Sequence, residues 1–193
     1  MKRALFLSVA LLALGGCRED GTAVLPAPVT MTAEAVGHFC QMEMLEHPGP
    51  KAQVFLDGLP YPLFFSQVRD AIAYDRMPEQ SHMITAIYVS DMGAPGATWE
   101  DPGADNWILA DVAHYVAGSD RAGGMETPEL VPFATLTAAQ DFVTQHGGAI
   151  LHRDAIADDL VLAPVVFEGD SGIDHDDGDL DKRLRALTRG PEG

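Results

Sequence analysis

Apolar and polar positions along the chain fall into two similar series. In the first, residues 52–56 (Ala-Gln-Val-Phe-Leu) form a β-prone run and are followed by a Gly-Pro turn region. Residues 66–74 then place Val68 and Ile72 one helical turn apart, and residues 84–89 (Ile-Thr-Ala-Ile-Tyr-Val) make a further strand. The second series runs from a strand at 112–116, through Pro132-Phe133, to a helix opened by Thr137 with Gln140 in capping-box spacing. Gly147-Gly148 closes that helix, and residues 149–152 complete the copy. Pro62 and Pro132, each just ahead of its helix, stand 70 positions apart, which points to duplication of one unit. The class expected is α+β, with small sheets each backed by one helix.

The regions outside these series set the expected boundaries. Residues 1–16 are expected to form an export signal, 17–33 a lipidated flexible tether, 34–92 the first strand-helix-strand unit, 93–105 a linker, 106–168 the second unit and 169–193 an acidic tail. Gly93, Pro95, Gly96, Pro102 and Gly103 mark the linker, where Trp99 and Trp107 are expected to cover the seam between units. The tail carries Asp174-His175-Asp176-Asp177-Gly178-Asp179, which is expected to be solvated and disordered rather than an ion-binding loop.

The chain opens with Met1-Lys2-Arg3, an apolar stretch over residues 4–14 and then Leu14-Gly15-Gly16-Cys17. Small residues directly before a cysteine read as a lipoprotein cleavage box, leaving Cys17 as the lipidated first residue. An uncleaved anchor is the bland alternative, but the stretch falls short of the roughly 20 apolar residues a bilayer span needs. Arg18 after the cysteine, in place of Asp, favours the outer membrane, with the folded part in the periplasm. The formal charge of −17 becomes −19 once Lys2 and Arg3 are removed. That field disfavours nucleic acid and anionic membrane surfaces, and suits cations or a basic protein partner.

Of two cysteines, lipidation consumes Cys17 and leaves Cys40 alone in an oxidising compartment. Such a thiol is either buried and inert, or ligated and functional. It sits in His38-Phe39-Cys40-Gln41-Met42-Glu43-Met44. In extended chain His38, Cys40, Met42 and Met44 share one face, about 7 Å apart for neighbours, so no single ion takes all four. On a helix positions two apart diverge, so Cys-x-Met is productive only in an extended segment. Thiolate with thioether is a soft set that selects Cu(I). Zinc calls for a fourfold Cys, His or carboxylate pattern, and blue copper for two spaced histidines; neither pattern is present. Met44 is the local candidate for a third donor, though a straight strand keeps it from converging on Cys40. By itself the triplet is a weak signal.

Phe39-Cys40-Gln41-Met42, followed by His47-Pro48-Gly49-Pro50-Lys51-Ala52, resembles the copper-binding segment of the nitrous oxide reductase accessory lipoproteins, the NosL family. Gly123-Gly124-Met125, Val131-Pro132-Phe133-Ala134 and Gly147-Gly148-Ala149-Ile150 resemble that family's second half. The resemblance implies two related β-β-α-β units similar to the organomercurial lyase fold. It also implies Cu(I) held by Cys40, Met42 and Met125, and copper delivery to nitrous oxide reductase through an assembly apparatus in the membrane. One departure stands out: Gln41 occupies a position where glycine is common.

Enzymatic motifs are missing: no phosphate-cradling Gly-Lys-Ser/Thr loop, no Gly-x-Ser-x-Gly and no His-Glu-x-x-His. A Cys40 nucleophile with His38 or His47 as base, oriented by Asp91 or Asp111, would need a convergence that sequence does not display. His82, His114, His146 and His152 each stand alone and are expected to be packing or surface residues, as are Met77, Met83 and Met92. Two functions therefore compete, a lipid-anchored Cu(I) chaperone and a metal-free docking lipoprotein.

Overall fold

Strand β1 (Ala52–Leu56) is buried at all five positions, because the sheet it centres is covered on both faces. The computed structural model describes residues 25–78 and 82–164; the signal segment, Cys17 and the acidic tail lie outside the described residues. β1 pairs antiparallel with β2 (Leu63–Phe65) and with β3 (Ile84–Ser90). Helix α1 (Val68–Arg76) crosses between them and buries Val68, Ala71 and Ile72, one stripe at helical spacing, against Val54 and Leu56. The same order recurs in β5 (His114–Ala117), β6 (Val131–Phe133), α2 (Leu136–His146) and β7 (Ala149–Leu151), with sheet order β6-β5-β7 matching β2-β1-β3. The fold is α+β with two β-β-α-β repeats.

The repeat is offset from the proline spacing. Gln67 and Thr135 are the N-cap residues of α1 and α2, and Phe65 and Phe133 pair with Ala52 and His114 in the same register of their sheets. Pro132 therefore corresponds to Phe64, and Pro62 lies before β2. Thr135, not Thr137, caps α2: its hydroxyl accepts the Ala138 N–H at 3.2 Å. Gly147 ends that helix at φ 71, where glycine is favoured.

Between the repeats, β4 (Trp107–Leu109) lies within the stretch expected to start the second unit, yet it pairs with β3 and completes the first sheet. Trp107 and Leu109 join Phe55, Ala86 and Tyr88 in the outer layer of that sheet while Ile108 faces the principal core, so Trp107 covers a sheet face and not the seam. Trp99 does lie at the junction, over Gly49 and against the cluster of Val116, Val131 and Phe133. Part of the expected tether is also docked. Gln53 bonds both the N–H and the carbonyl of Val29, Tyr88 donates to the Pro26 carbonyl at 2.8 Å, and Met31 is buried. These apolar residues gain more from covering the sheet than a free linker would.

A short helix absent from the sequence expectation, α3 (Asp158–Leu162), packs on α1, with Arg76 paired to Asp158 at 2.6 Å. The principal core joins the two repeats: Val54, Val68 and Ile72 share it with Tyr115, Leu130, Ile156 and Val161.

Candidate metal centre

The Cys40 segment is a turn, not a strand. Val36 bridges Glu43, with Gly37 N–H donating to the Met42 carbonyl at 2.9 Å and Met44 N–H to the Ala35 carbonyl at 2.9 Å. Between these arms the Gln41 N–H returns to the Gly37 carbonyl at 2.8 Å, and Gln41 itself sits at φ 56. His38 and Phe39, expected on opposite faces, instead both pack on one aromatic group. His38 lies 5.6 Å from the Phe65 ring and 5.4 Å from Tyr74, and Phe39 lies 5.2 Å from Phe65.

The left-handed conformation at Gln41 is the kind that favours glycine. Gln41 offsets its cost locally, since its side-chain amide donates to the His38 carbonyl at 2.7 Å and to the Gly37 carbonyl at 3.3 Å.

Cys40 is half-buried. Its sulfur lies 3.6 Å from the Ser66 hydroxyl, at the entrance to α1. It also occupies the space a Cβ on Gly37 would fill, and Met44 Sδ comes within 3.6 Å of that same point. Cys40 and Met44 sulfurs thus converge across Gly37, which a straight strand would have prevented. Met44 is fully buried among Met31, Ala35, Phe64 and Trp107, whereas Met42 and Met125 are 45% and 37% exposed. The thioether beside the thiol is therefore the buried one of Met44, while those of Met42 and Met125 belong to exposed residues.

Met125 reaches the first unit through its loop. Its N–H donates to Gln67 Oε1 at 3.2 Å, and Thr127 donates to the same oxygen at 2.7 Å. Gly124 fits so closely against His47, Pro48 and Ser66 that a Cβ would stand 2.9 Å from His47 Cβ. The His47 ring bonds the Gly124 carbonyl through Nδ1 at 3.2 Å, while its Nε2 is buried with no hydrogen-bond partner among the described residues. That imidazole lines a cavity of about 420 Å³ together with Met31, Met44 and Lys51.

Two charged residues beneath the site escaped the sequence reading. Lys51 is buried, its ammonium donating to the Pro48 and Gly49 carbonyls at 2.9 and 2.6 Å. Burial pushes it down to about 8, against the opposing pull of Glu129 and Cys40. Glu129 is buried and accepts the Val68, Arg69 and Leu130 N–H groups at 3.2, 2.9 and 2.8 Å. Burial pushes it up to about 8, while the Arg69 and Leu130 N–H groups hold it back. A lysine amid Pro-Gly-Pro and a glutamate before Leu-Val were the only local signals.

Other residues considered from sequence are engaged elsewhere. Asp91 accepts the Gly93 and Ala134 N–H groups, both at 2.9 Å, and Asp111 pairs with Arg153. His114 and His152 are not solitary: their rings lie 4.9 Å apart. His146 pairs with Asp120 at 2.9 Å. Among the described residues no three His, Cys, Asp or Glu side chains converge as metal ligands.

Comparison with known proteins bears on this arrangement. The chain is 55% identical to the copper-binding lipoprotein NosL of Achromobacter cycloclastes, over 96% of this chain and 94% of that one. It is 30% identical to the copper-binding lipoprotein NosL of Stutzerimonas stutzeri, over 88% of each. The crystal structure of the copper chaperone NosL from Shewanella denitrificans is 28% identical and superposes with a TM-score of 0.63, covering 69% of this chain and 97% of that one. The family model for NosL matches residues 28–161, the same span that holds both repeats and the Cys40 turn. This chain belongs to the NosL family.

Proposed function

We propose that this protein is a periplasmic lipoprotein, anchored through Cys17, that carries Cu(I) on Cys40, Met42 and Met125 and hands it to the assembly apparatus of nitrous oxide reductase. The observation that carries the reading is the half-buried Cys40 thiol held at a turn, with the Met125 loop fastened to the residue following Ser66. The names of its relatives, copper-binding lipoprotein and copper chaperone, support the same reading.

Chemically, the thiol loses its proton when it takes the metal, and its sulfur stands 3.6 Å from the Ser66 hydroxyl. Cu(I) is soft and is satisfied by thiolate and thioether, which discriminates against harder ions. Met42 and Met125 are exposed and unbranched, so they can swing away while Cys40 keeps the ion. An acceptor's sulfur enters from that side, and copper passes by ligand exchange with no change of oxidation state. No catalytic step is required of the protein, and the outer membrane is the favoured place of the anchor.

The test is anaerobic Cu(I) titration of the chain from Arg18 onward against a chromophoric Cu(I) competitor. One equivalent is expected to bind, Cys40→Ala to abolish it, and Met125→Leu to weaken it more than Met44→Leu does. Failure of the unmodified protein to take copper from the competitor leaves the docking-lipoprotein function in its place.

A further inference from the structure

The second repeat holds a pair of side chains that the Cys40 site does not use. β5 and β7 pair antiparallel with Tyr115 opposite Leu151. One step further along the same register sets His114 opposite His152, on one face of the sheet. Their ring centroids are 4.9 Å apart and the planes are tilted by 54°, so the rings are neighbours without being stacked face to face. His114 Nδ1 is buried and has no hydrogen-bond partner among the described residues. A buried imidazole nitrogen left unsatisfied is destabilising, and the apolar strand neighbours offer it nothing.

We propose that His114 and His152 form a second metal site, for a divalent ion of borderline softness, with Cu(II) the tightest. Two imidazoles on directly opposed strand positions are close enough to bind one ion together. Their nitrogen donors suit copper, zinc and nickel, and among divalent first-row ions Cu(II) binds such a pair most strongly. His152 opens onto a cavity of about 550 Å³ lined also by Asp75, Asp111 and Asp154, which leaves room for the waters that complete the coordination. Arg153 already engages Asp75 and Asp111, so these carboxylates contribute field rather than ligation. The oxidising compartment expected for this protein supplies copper in the Cu(II) form, which the sulfur site does not favour. The two sites therefore separate the metal by oxidation state: thiolate and thioether for Cu(I), imidazole for Cu(II). This second site stands on the His pair alone and does not depend on copper transfer through Cys40.

Its test uses the full chain carrying Cys40→Ala, so that the thiol neither reduces nor captures the metal. Titration with Cu(II), followed by electron paramagnetic resonance, is expected to give one type-2 signal with coupling to two nitrogens. His114→Gln and His152→Gln are each expected to lose that two-nitrogen signal, while His146→Gln and His175→Gln, the latter in the tail outside the described residues, keep it. Circular dichroism melts establish that the variants fold. A two-nitrogen signal persisting in folded His114→Gln and His152→Gln overturns the proposal. For a variant that does not fold, Zn(II) titration of the parent protein decides through ring 15N shifts. Concerted shifts at His114 and His152 support the site, and shifts confined to other histidines, or none, overturn it.

Discussion

Gly37 has no side chain because Cys40 sulfur stands where its Cβ would be, with Met44 sulfur close behind. Gly37→Ala is therefore expected to push the thiol outward. Its reaction with a disulfide reagent should quicken and Cu(I) affinity should fall, while α1 and the sheets keep their stability; an unchanged thiol rate refutes the close approach. Glu129 makes a prediction about pH. Its folded value of about 8 lies above the 4.5 of a free glutamate, so between those values the folded state keeps a proton the unfolded chain has released. Stability from this group is complete below 4.5 and is lost as pH rises through 8. Lys51, lowered from 10.5 to about 8, acts in the opposite sense, and its stability is lost as pH falls from 10.5 through 8. Together they place a stability minimum near pH 8. Calorimetry should show Tm higher near pH 6 than near pH 8, by a margin that shrinks in Glu129→Gln. An equal margin in both proteins means that Glu129 does not carry the effect.

Helix α1 has an N-cap, Gln67, that makes no capping bond to its own helix. The first N–H groups, buried and without a partner in their own helix, are met from the other repeat by the Glu129 carboxyl. Gln67 is freed to hold the loop instead, through Met125 N–H, Thr127 hydroxyl and, by its own amide, Asp70 at 3.0 Å. One helix terminus thus sets both where Cys40 lies, through Ser66, and where Met125 lies. Gln67→Leu should cost about 1–3 kcal/mol, the range for leaving buried polar partners unpaired. Amide exchange at Met125 and Thr127 should speed up while β1 stays protected. Unchanged exchange at those two amides would show that the loop is held by something else.

At the scale of the molecule the two repeats are not independent bodies. Val54, Val68 and Ile72 of the first are buried with Tyr115, Leu130 and Val161 of the second, and β4 follows the linker in sequence yet belongs to the first sheet. Separating the repeats would expose these apolar side chains, and each fully buried one contributes about 1.5–3 kcal/mol. Thermal unfolding is expected as a single calorimetric transition, and residues 34–92 alone should fail to give a cooperative melt. Two resolved transitions, or a cooperative melt of residues 34–92, would refute the shared core. The sequence by itself determined the repeated strand-helix-strand order, the glycine stop of α2 and the soft donor type of Cys40, because periodicity, backbone freedom and donor type are properties of neighbouring residues, whereas β2 is a strand only through its pairing with β1. Only the tertiary structure decided that residues 38–41 turn, that Thr135 caps α2, that β4 joins the first sheet, that Ser66 stands beside the thiol, and that Lys51 and Glu129 are buried. The alternation around Cys40 records which side chains are apolar but not what covers them. Phe65 and Tyr74, distant in sequence, supply that cover by packing on His38 and Phe39, and so favour the turn over the strand.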